Sequence, residues 1–208
     1  MDVKEYERLR KEKSYRRVVR EEKREKEIYH MLPYYEDCVL LGDSIAESIL
    51  DFRLLRKNNV IAKRGRCIDM IDEDIEKAYI LNPRILYMEF GKNDILHFHG
   101  NAALFIDIYS QKIKKLQELL PDTVIYVNSI IPMRQDVMER LGGQDVLCAF
   151  NEGLRCMCQA YHITYIDNEV LMDWKDDEFE FDGIHPKYPY YAKWMKHMAT
   201  AAGVYSEA

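Results

Sequence analysis

An α/β fold on a parallel central sheet is what three features of this sequence predict. Short apolar runs alternate along the chain with longer stretches whose apolar residues recur at helical spacing. The runs, such as Val39, Leu40 and Leu41, are too short for helices and suit strands buried on both faces. Polar, glycine-bearing segments follow the runs, at the carboxyl ends of the strands, where open α/β sheets bind ligands. Strict strand–helix alternation implies about five strands, helices on both sheet faces and right-handed crossovers.

The elements follow in order. Residues 2–30 hold neither Gly nor Pro, and Val3, Tyr6, Leu9, Val18 and Val19 make no sustained heptad. They predict a long, thinly amphipathic helix, a charged arm over 1–32 with Pro33 at its end. Mixed acids and bases suit a solvated spacer or a homodimer contact. The first strand, at 39–41, is broken by Gly42 and Asp43. Ser44 then opens a helix with Ile45, Ile49 and Leu50 on one face. Asn58-Asn59 turns the chain into a second strand at 60–63, closed by Arg64-Gly65-Arg66. A helix over 67–81 turns Ile68, Ile71, Ile75, Ala78 and Tyr79 inward. Pro83 precedes the third strand, 85–88, which ends in Glu89-Phe90-Gly91-Lys92-Asn93-Asp94. A helix over 101–120 carries Leu104, Ile108, Ile113, Leu116 and Leu119. Pro121-Asp122 leads to the fourth strand, 123–128, then a loop over 129–143 and a helix over 145–161. The fifth strand, 163–166, precedes a polar loop ending in Asp182-Gly183-Ile184-His185-Pro186. The last helix runs over 189–202.

Composition bounds the function. The chain has 208 residues, 48% of them hydrophobic, enough for one compact domain with its own core plus an extension. A net charge of -6 and a pI of about 5.6 exclude the basic face of a nucleic-acid binder. No apolar run approaches the roughly 18 residues of a membrane span. The charged amino end has no signal-peptide core, so the sequence as it stands reads as cytoplasmic. It would read as extracellular or anchored if a leader or anchor had been removed. Five cysteines, odd in number and scattered, fit reduced thiols rather than a disulfide framework.

Ser44, Gly65 and Asn93 fall at the ends of three strands, and Asp182 with His185 lies in the loop after the last. Acyl transfer needs a nucleophile, an adjacent base, a group that orients the base, and donors for an oxyanion. Ser44 suits the nucleophile, exposed by its turn. His185 suits the base, since imidazoles are largely neutral at pH 7. Asp182 suits the group that fixes its tautomer. The backbone N–H groups of Ser44 and Gly65 suit the oxyanion, with no side chain at position 65 to obstruct them. The Asn93 amide is a third donor. Each residue also has a plainer reading: Ser44 a helix cap, Gly65 a turn glycine, Asn93 a loop residue, Asp182 a turn cap. Their order, spacing and strand-end placement agree on the chemical one.

Gly42-Asp43-Ser44, Gly65, Gly91-Lys92-Asn93-Asp94 and Asp182-Gly183-Ile184-His185-Pro186 together resemble the four blocks of the SGNH hydrolases, or GDSL esterase/lipase family. The resemblance runs from about Tyr34 to the end, a domain over 33–208. It implies a flavodoxin-like three-layer fold and a cofactor-free serine esterase. It assigns Ser44, His185 and Asp182 as the triad and Ser44, Gly65 and Asn93 as the oxyanion hole. Tyr34-Tyr35-Glu36-Asp37 and Tyr190-Tyr191-x-x-Trp194 resemble members that deacylate carbohydrate or cell wall, with acetyl as the expected acyl group. A glycan-binding scaffold is the alternative from another class; thioester or phospholipid hydrolysis would use the same machinery.

Arg64, Arg66, Lys92, Met133 and Arg134, with Asp43, are the expected substrate contacts, and their positive charge would favour an anionic or polyhydroxy substrate. Glu89, at the end of an apolar strand, reads as a buried partner for a base such as Arg64. His97-x-His99 has no clear cluster to complete a metal site, so no metal is expected. Cys156-Met157-Cys158 lacks the spacer of a redox pair and reads as core packing. Gly142-Gly143 reads as a hinge, and Asp176, Asp177 and Glu178 as a solvated rim.

Overall fold

The computed structural model describes Glu12 and residues 30–206. Most of the charged arm, and with it the expected dimer contact, lies outside the described residues. Five strands, β1 (Cys38–Gly42), β2 (Val60–Ala62), β3 (Ile85–Glu89), β4 (Val124–Asn128) and β5 (Thr164–Ile166), form one sheet in the order β2-β1-β3-β4-β5. Every pairing is parallel. The helices are α1 (Ser44–Asp51), α2 (Asp72–Leu81), α3 (Lys92–His97), α4 (Ala102–Leu119), α5 (Gln135–Arg140), α6 (Gln144–Ala160) and α7 (Tyr188–Ala201).

Successive strand side chains point to opposite faces, and the core divides accordingly. Val39, Leu41, Leu86, Met88 and Val127 pack with Ile75 of α2, Phe105 and Ile113 of α4, and Leu154 of α6. Leu40, Ile85, Tyr87 and Tyr126 pack with Ile49 of α1 and with Tyr191, Trp194 and Met198 of α7. Helices therefore cover both faces in three layers, and the strand order is the flavodoxin-like one. Trp194 is wholly buried, yet its indole N–H donates to Asn128 Oδ1 at 2.8 Å. A large side chain buried with its polar tip satisfied stabilises the fold by roughly 2–3 kcal/mol.

Tyr35, Tyr190, Tyr191 and Trp194 are all core residues, with Tyr190 and Trp194 stacked at 5.6 Å. These four aromatic residues therefore serve packing.

The predicted strands are all present, within a residue or so at their ends. The helix expected over 67–81 is a 3-10 turn at Ile68–Met70 followed by α2, which starts where Asp72, Glu73 and Asp74 suit a helix amino terminus. Ile68, Ile71, Ile75 and Ala78 are buried as expected, but Tyr79 is exposed. In α4, Phe105, Tyr109, Ile113 and Leu116 form the buried face, and Leu104 and Leu119 are exposed. The six-residue helices α3 and α5 were not expected, being too short to show a period. Met157 and Cys158 are core residues as read, while Cys156 is exposed.

Candidate active site

β1 lies between β2 and β3, so the crevice at the carboxyl ends of these strands is the switch point of the sheet. β1 passes into α1 at Gly42. A Cβ there would sit 2.6 Å from Ala46 Cβ and 2.7 Å from the Glu89 carbonyl oxygen, so only glycine lets strand, helix and β3 approach this closely. Asp43 is the helix cap, its Oδ1 accepting from Ile45 N–H at 2.8 Å. The cap reading of Ser44 is thereby set aside.

The Ser44 Oγ lies 2.9 Å from His185 Nε2, and His185 Nδ1 lies 2.6 Å from Asp182 Oδ2. The carboxylate is an acceptor, so Nδ1 carries the ring proton and Nε2 is left to accept from the Ser44 hydroxyl. Asp182 also caps its turn: its Oδ1 accepts from Ile184 N–H at 2.8 Å and His185 N–H at 3.0 Å. Burial alone would raise its pKa. The N–H groups of His185 and Ile184, with the His185 ring, outweigh it and hold the carboxyl below the usual range. Asp182 thus both caps its turn and faces the His185 ring.

Gly65 follows β2 with φ +73°, and a Cβ there would meet nothing within 4 Å. The positive φ favours glycine for its backbone conformation, and the residue lines the cleft. Asn93, in the first turn of α3, donates from Nδ2 to Asp43 Oδ2 at 3.0 Å and to the Arg66 carbonyl at 3.2 Å. Asp94 Oδ1 accepts from Ile68 N–H at 2.7 Å, pinning the segment after Gly65 to α3. Burial pushes the Asp94 carboxyl up to about 7.

Ser44, Gly65 and Asn93 share one cleft of about 550 Å³. Its wall is chiefly aliphatic: Leu96, Met133, Val137, Leu141 and Ile184. A second cavity, about 180 Å³ between Met31, Leu54 and α7, contains none of the groups above.

Of the expected substrate contacts, Met133 and Lys92 line the cleft. Asp43 is wholly buried and committed to Ile45 and Asn93. Arg64 pairs with Glu47 at 3.0 Å and Asp51 at 2.6 Å on α1. Arg66 pairs with Asp74 of α2 at 2.8 Å. Arg134 pairs with Asp136 at 2.6 Å and donates to the Phe181 carbonyl. Lys92 reaches the cleft, but its ammonium is turned inward onto backbone carbonyls. Of the expected cations Lys92 lines the cleft, together with Arg140, whereas Arg64, Arg66 and Arg134 are engaged beside it. Glu89 is likewise no partner of Arg64. Burial and then the neighbouring Asp43 raise its pKa well above normal, while the Lys92 cation opposes the rise. His97 binds Asp69 at 2.8 Å, and among the described residues no cluster suits a metal. The wall residues Leu96, Val137 and Leu141 went unread, since isolated apolar residues in polar segments carry no pattern.

Residues 40–193 match the model of the GDSL-like lipase/acylhydrolase family. Among solved structures, the chain is similar to a GDSL-like lipase from Bacteroides thetaiotaomicron, at 17% identity over 80% of this chain and 87% of that one, with a TM-score of 0.59. It is similar to a carbohydrate esterase family 3 protein from Talaromyces cellulolyticus, at 18% identity over 80% and 95% of the two chains, with a TM-score of 0.59. A family 3 carbohydrate esterase from Clostridium thermocellum has 14% identity over 78% and 92%, with a TM-score of 0.61. At such identities the likeness is one of fold. Comparison with curated proteins gives no match.

Proposed function

Because the chain belongs to the GDSL-like lipase/acylhydrolase family, a family of ester hydrolases, we propose that it cleaves carboxylic esters with Ser44, His185 and Asp182 and without a cofactor. The observation that carries this reading is the continuous run from Ser44 Oγ through the His185 ring to Asp182, at 2.9 and 2.6 Å, opening on the cleft. Ser44 Oγ attacks the ester carbonyl carbon while His185 Nε2 takes its proton. The carbonyl oxygen becomes an oxyanion facing the N–H groups of Ser44 and Gly65 and the Asn93 amide. The intermediate collapses, the C–O bond to the alcohol breaks, and His185 gives the departing oxygen its proton. Water then attacks the acyl-serine, His185 takes a water proton, and the acid leaves with Ser44 restored. Ionised Asp182 steadies the imidazolium in both halves.

For Asn93 to serve the oxyanion, one of its two partners must yield; the Arg66 carbonyl, at 3.2 Å, is the weaker. Asn93→Ala is expected to lower kcat by about 100- to 1000-fold with little change in KM. A variant within about threefold of the native kcat removes Asn93 from the hole.

The substrate is proposed as a short acyl ester, acetyl foremost, on a carbohydrate or cell-wall glycan. The family 3 carbohydrate esterases among the structural neighbours support this reading. The aliphatic wall of Leu96, Met133, Val137, Leu141 and Ile184 favours a second, an acyl chain of several carbons on a thioester or lysophospholipid. Acetylated sugars and p-nitrophenyl esters from acetate to octanoate separate the two. The acetyl reading predicts kcat/KM highest for acetate. The second predicts a rise of up to about fourfold per added methylene, from ~0.8 kcal/mol each. Lack of turnover on every ester and thioester would overturn the proposal.

A further inference from the structure

The buried cation beside the catalytic centre has a place in the geometry that the reaction does not itself assign. Lys92 opens α3, immediately before Asn93, and is only 5% exposed. Its Nζ donates to the Ile184 carbonyl at 2.6 Å and to the Pro132 carbonyl at 3.2 Å. Ile184 sits between Asp182 and His185. The bonds of Asp182 to Ile184 and His185 lie within the loop, so they shape it without fixing it relative to Ser44. Anchorage comes instead from Arg134, whose backbone N–H donates to the Gly183 carbonyl at 2.8 Å and whose guanidinium donates to the Phe181 carbonyl, and from the Lys92 ammonium.

We propose that Lys92 is a positioning residue that clamps the loop bearing Asp182 and His185 to the helix bearing Asn93, and so holds the imidazole over Ser44. The inference rests on the Ser44–His185 reading above. Behind the ammonium lie Asp43 and Glu89, and toward the loop Asp182; Asp43 in turn caps α1 and accepts from Asn93. Its bonds thus join the helix that carries the oxyanion donor to the loop that carries the base. Removing a cation from water is costly unless its hydrogen bonds and counter-charges are in place; here two carbonyls accept its bonds, and Glu89, Asp43 and Asp182 favour its charge.

The clamp has a pH limit. Burial pulls the Lys92 ammonium down to about 8, although Glu89, Asp43 and Asp182 all act to raise it. Above that pH its bonds to the loop lose their charge assistance and weaken.

The test uses the full chain with Lys92→Met and Lys92→Arg, on p-nitrophenyl acetate. Lys92→Met is expected to lower kcat by about 10- to 100-fold, to change KM by less than about threefold, and to slow fluorophosphonate labelling of Ser44 in parallel. The native kcat should decline above about pH 8, in step with the Lys92 titration. Lys92→Arg, charged throughout, should recover part of the loss and show no such decline. A native kcat in Lys92→Met, with the alkaline decline intact, overturns the clamp. If Lys92→Met fails to fold, the Lys92→Arg profile decides: an alkaline decline matching the native enzyme overturns the proposal. Hydrolysis by Ser44→Ala at the native rate would instead overturn the underlying site reading. An inert Ser44→Ala beside an unaffected Lys92→Met would remove only the clamp.

Discussion

Ser44→Ala is expected to lower kcat for p-nitrophenyl acetate by about four to six orders of magnitude and to abolish covalent labelling by a fluorophosphonate. The substitution removes one oxygen, whose hydrogen bond is to His185 Nε2. Without it no acyl-enzyme forms, and water would have to attack the ester unaided by covalent catalysis. Little else should change. Asp43, not Ser44, caps α1, so the helix start keeps its side-chain acceptor. Alanine is also the better helix former. The melting temperature should therefore stay close to native while turnover collapses. Equal hydrolysis by native and Ser44→Ala protein would dispose of the serine mechanism.

The parts of this site that were legible in the sequence are those fixed by backbone direction. A strand that ends in Gly42-Asp43 and restarts as a helix at Ser44 must present that residue at the sheet's carboxyl edge. The same logic placed Gly65 and Asn93, and the alternation of elements placed the sheet. What was not legible is which side chains meet once helices pack. Arg64 and Arg66 flank Gly65 and read as cleft cations, but Glu47 and Asp51 on α1 and Asp74 on α2 reach them first. No periodicity in α1 or α2 reveals which polar residues border the neighbouring loop. Glu89 is a similar case. The register of β1 against β3 sets Gly42 opposite Glu89, and this brings its carboxyl to Asp43 and the Lys92 cation rather than to Arg64. The aliphatic wall escaped because α3 and α5 are under two turns long.

Asp182→Asn should cost kcat about 1000- to 10,000-fold, second only to the loss of Ser44. The asparagine can keep its Oδ1 on the N–H groups of Ile184 and His185, so the turn survives. The group facing His185 Nδ1 then becomes an amide N–H₂, a donor where the ring needs an acceptor. The ring shifts its proton to Nε2, and the nitrogen that must accept from Ser44 becomes a donor. Geometry is kept and function lost, through the tautomer alone. The pH dependence carries its own check. Asp182 is held below the usual carboxylate range, against the pull of burial, by the His185 and Ile184 N–H groups and the ring. A depressed carboxyl contributes stability above its unfolded pKa, near 3.9, and loses it as pH falls through the folded value. The difference in melting temperature between native and Asp182→Asn should therefore be widest near neutrality and shrink below about pH 4. The deficit in kcat should persist from pH 5 to 8, because the native carboxylate stays ionised across that range. An Asp182→Asn enzyme within about tenfold of native would mean that the backbone alone orients His185, and the carboxylate would lose its place in the mechanism.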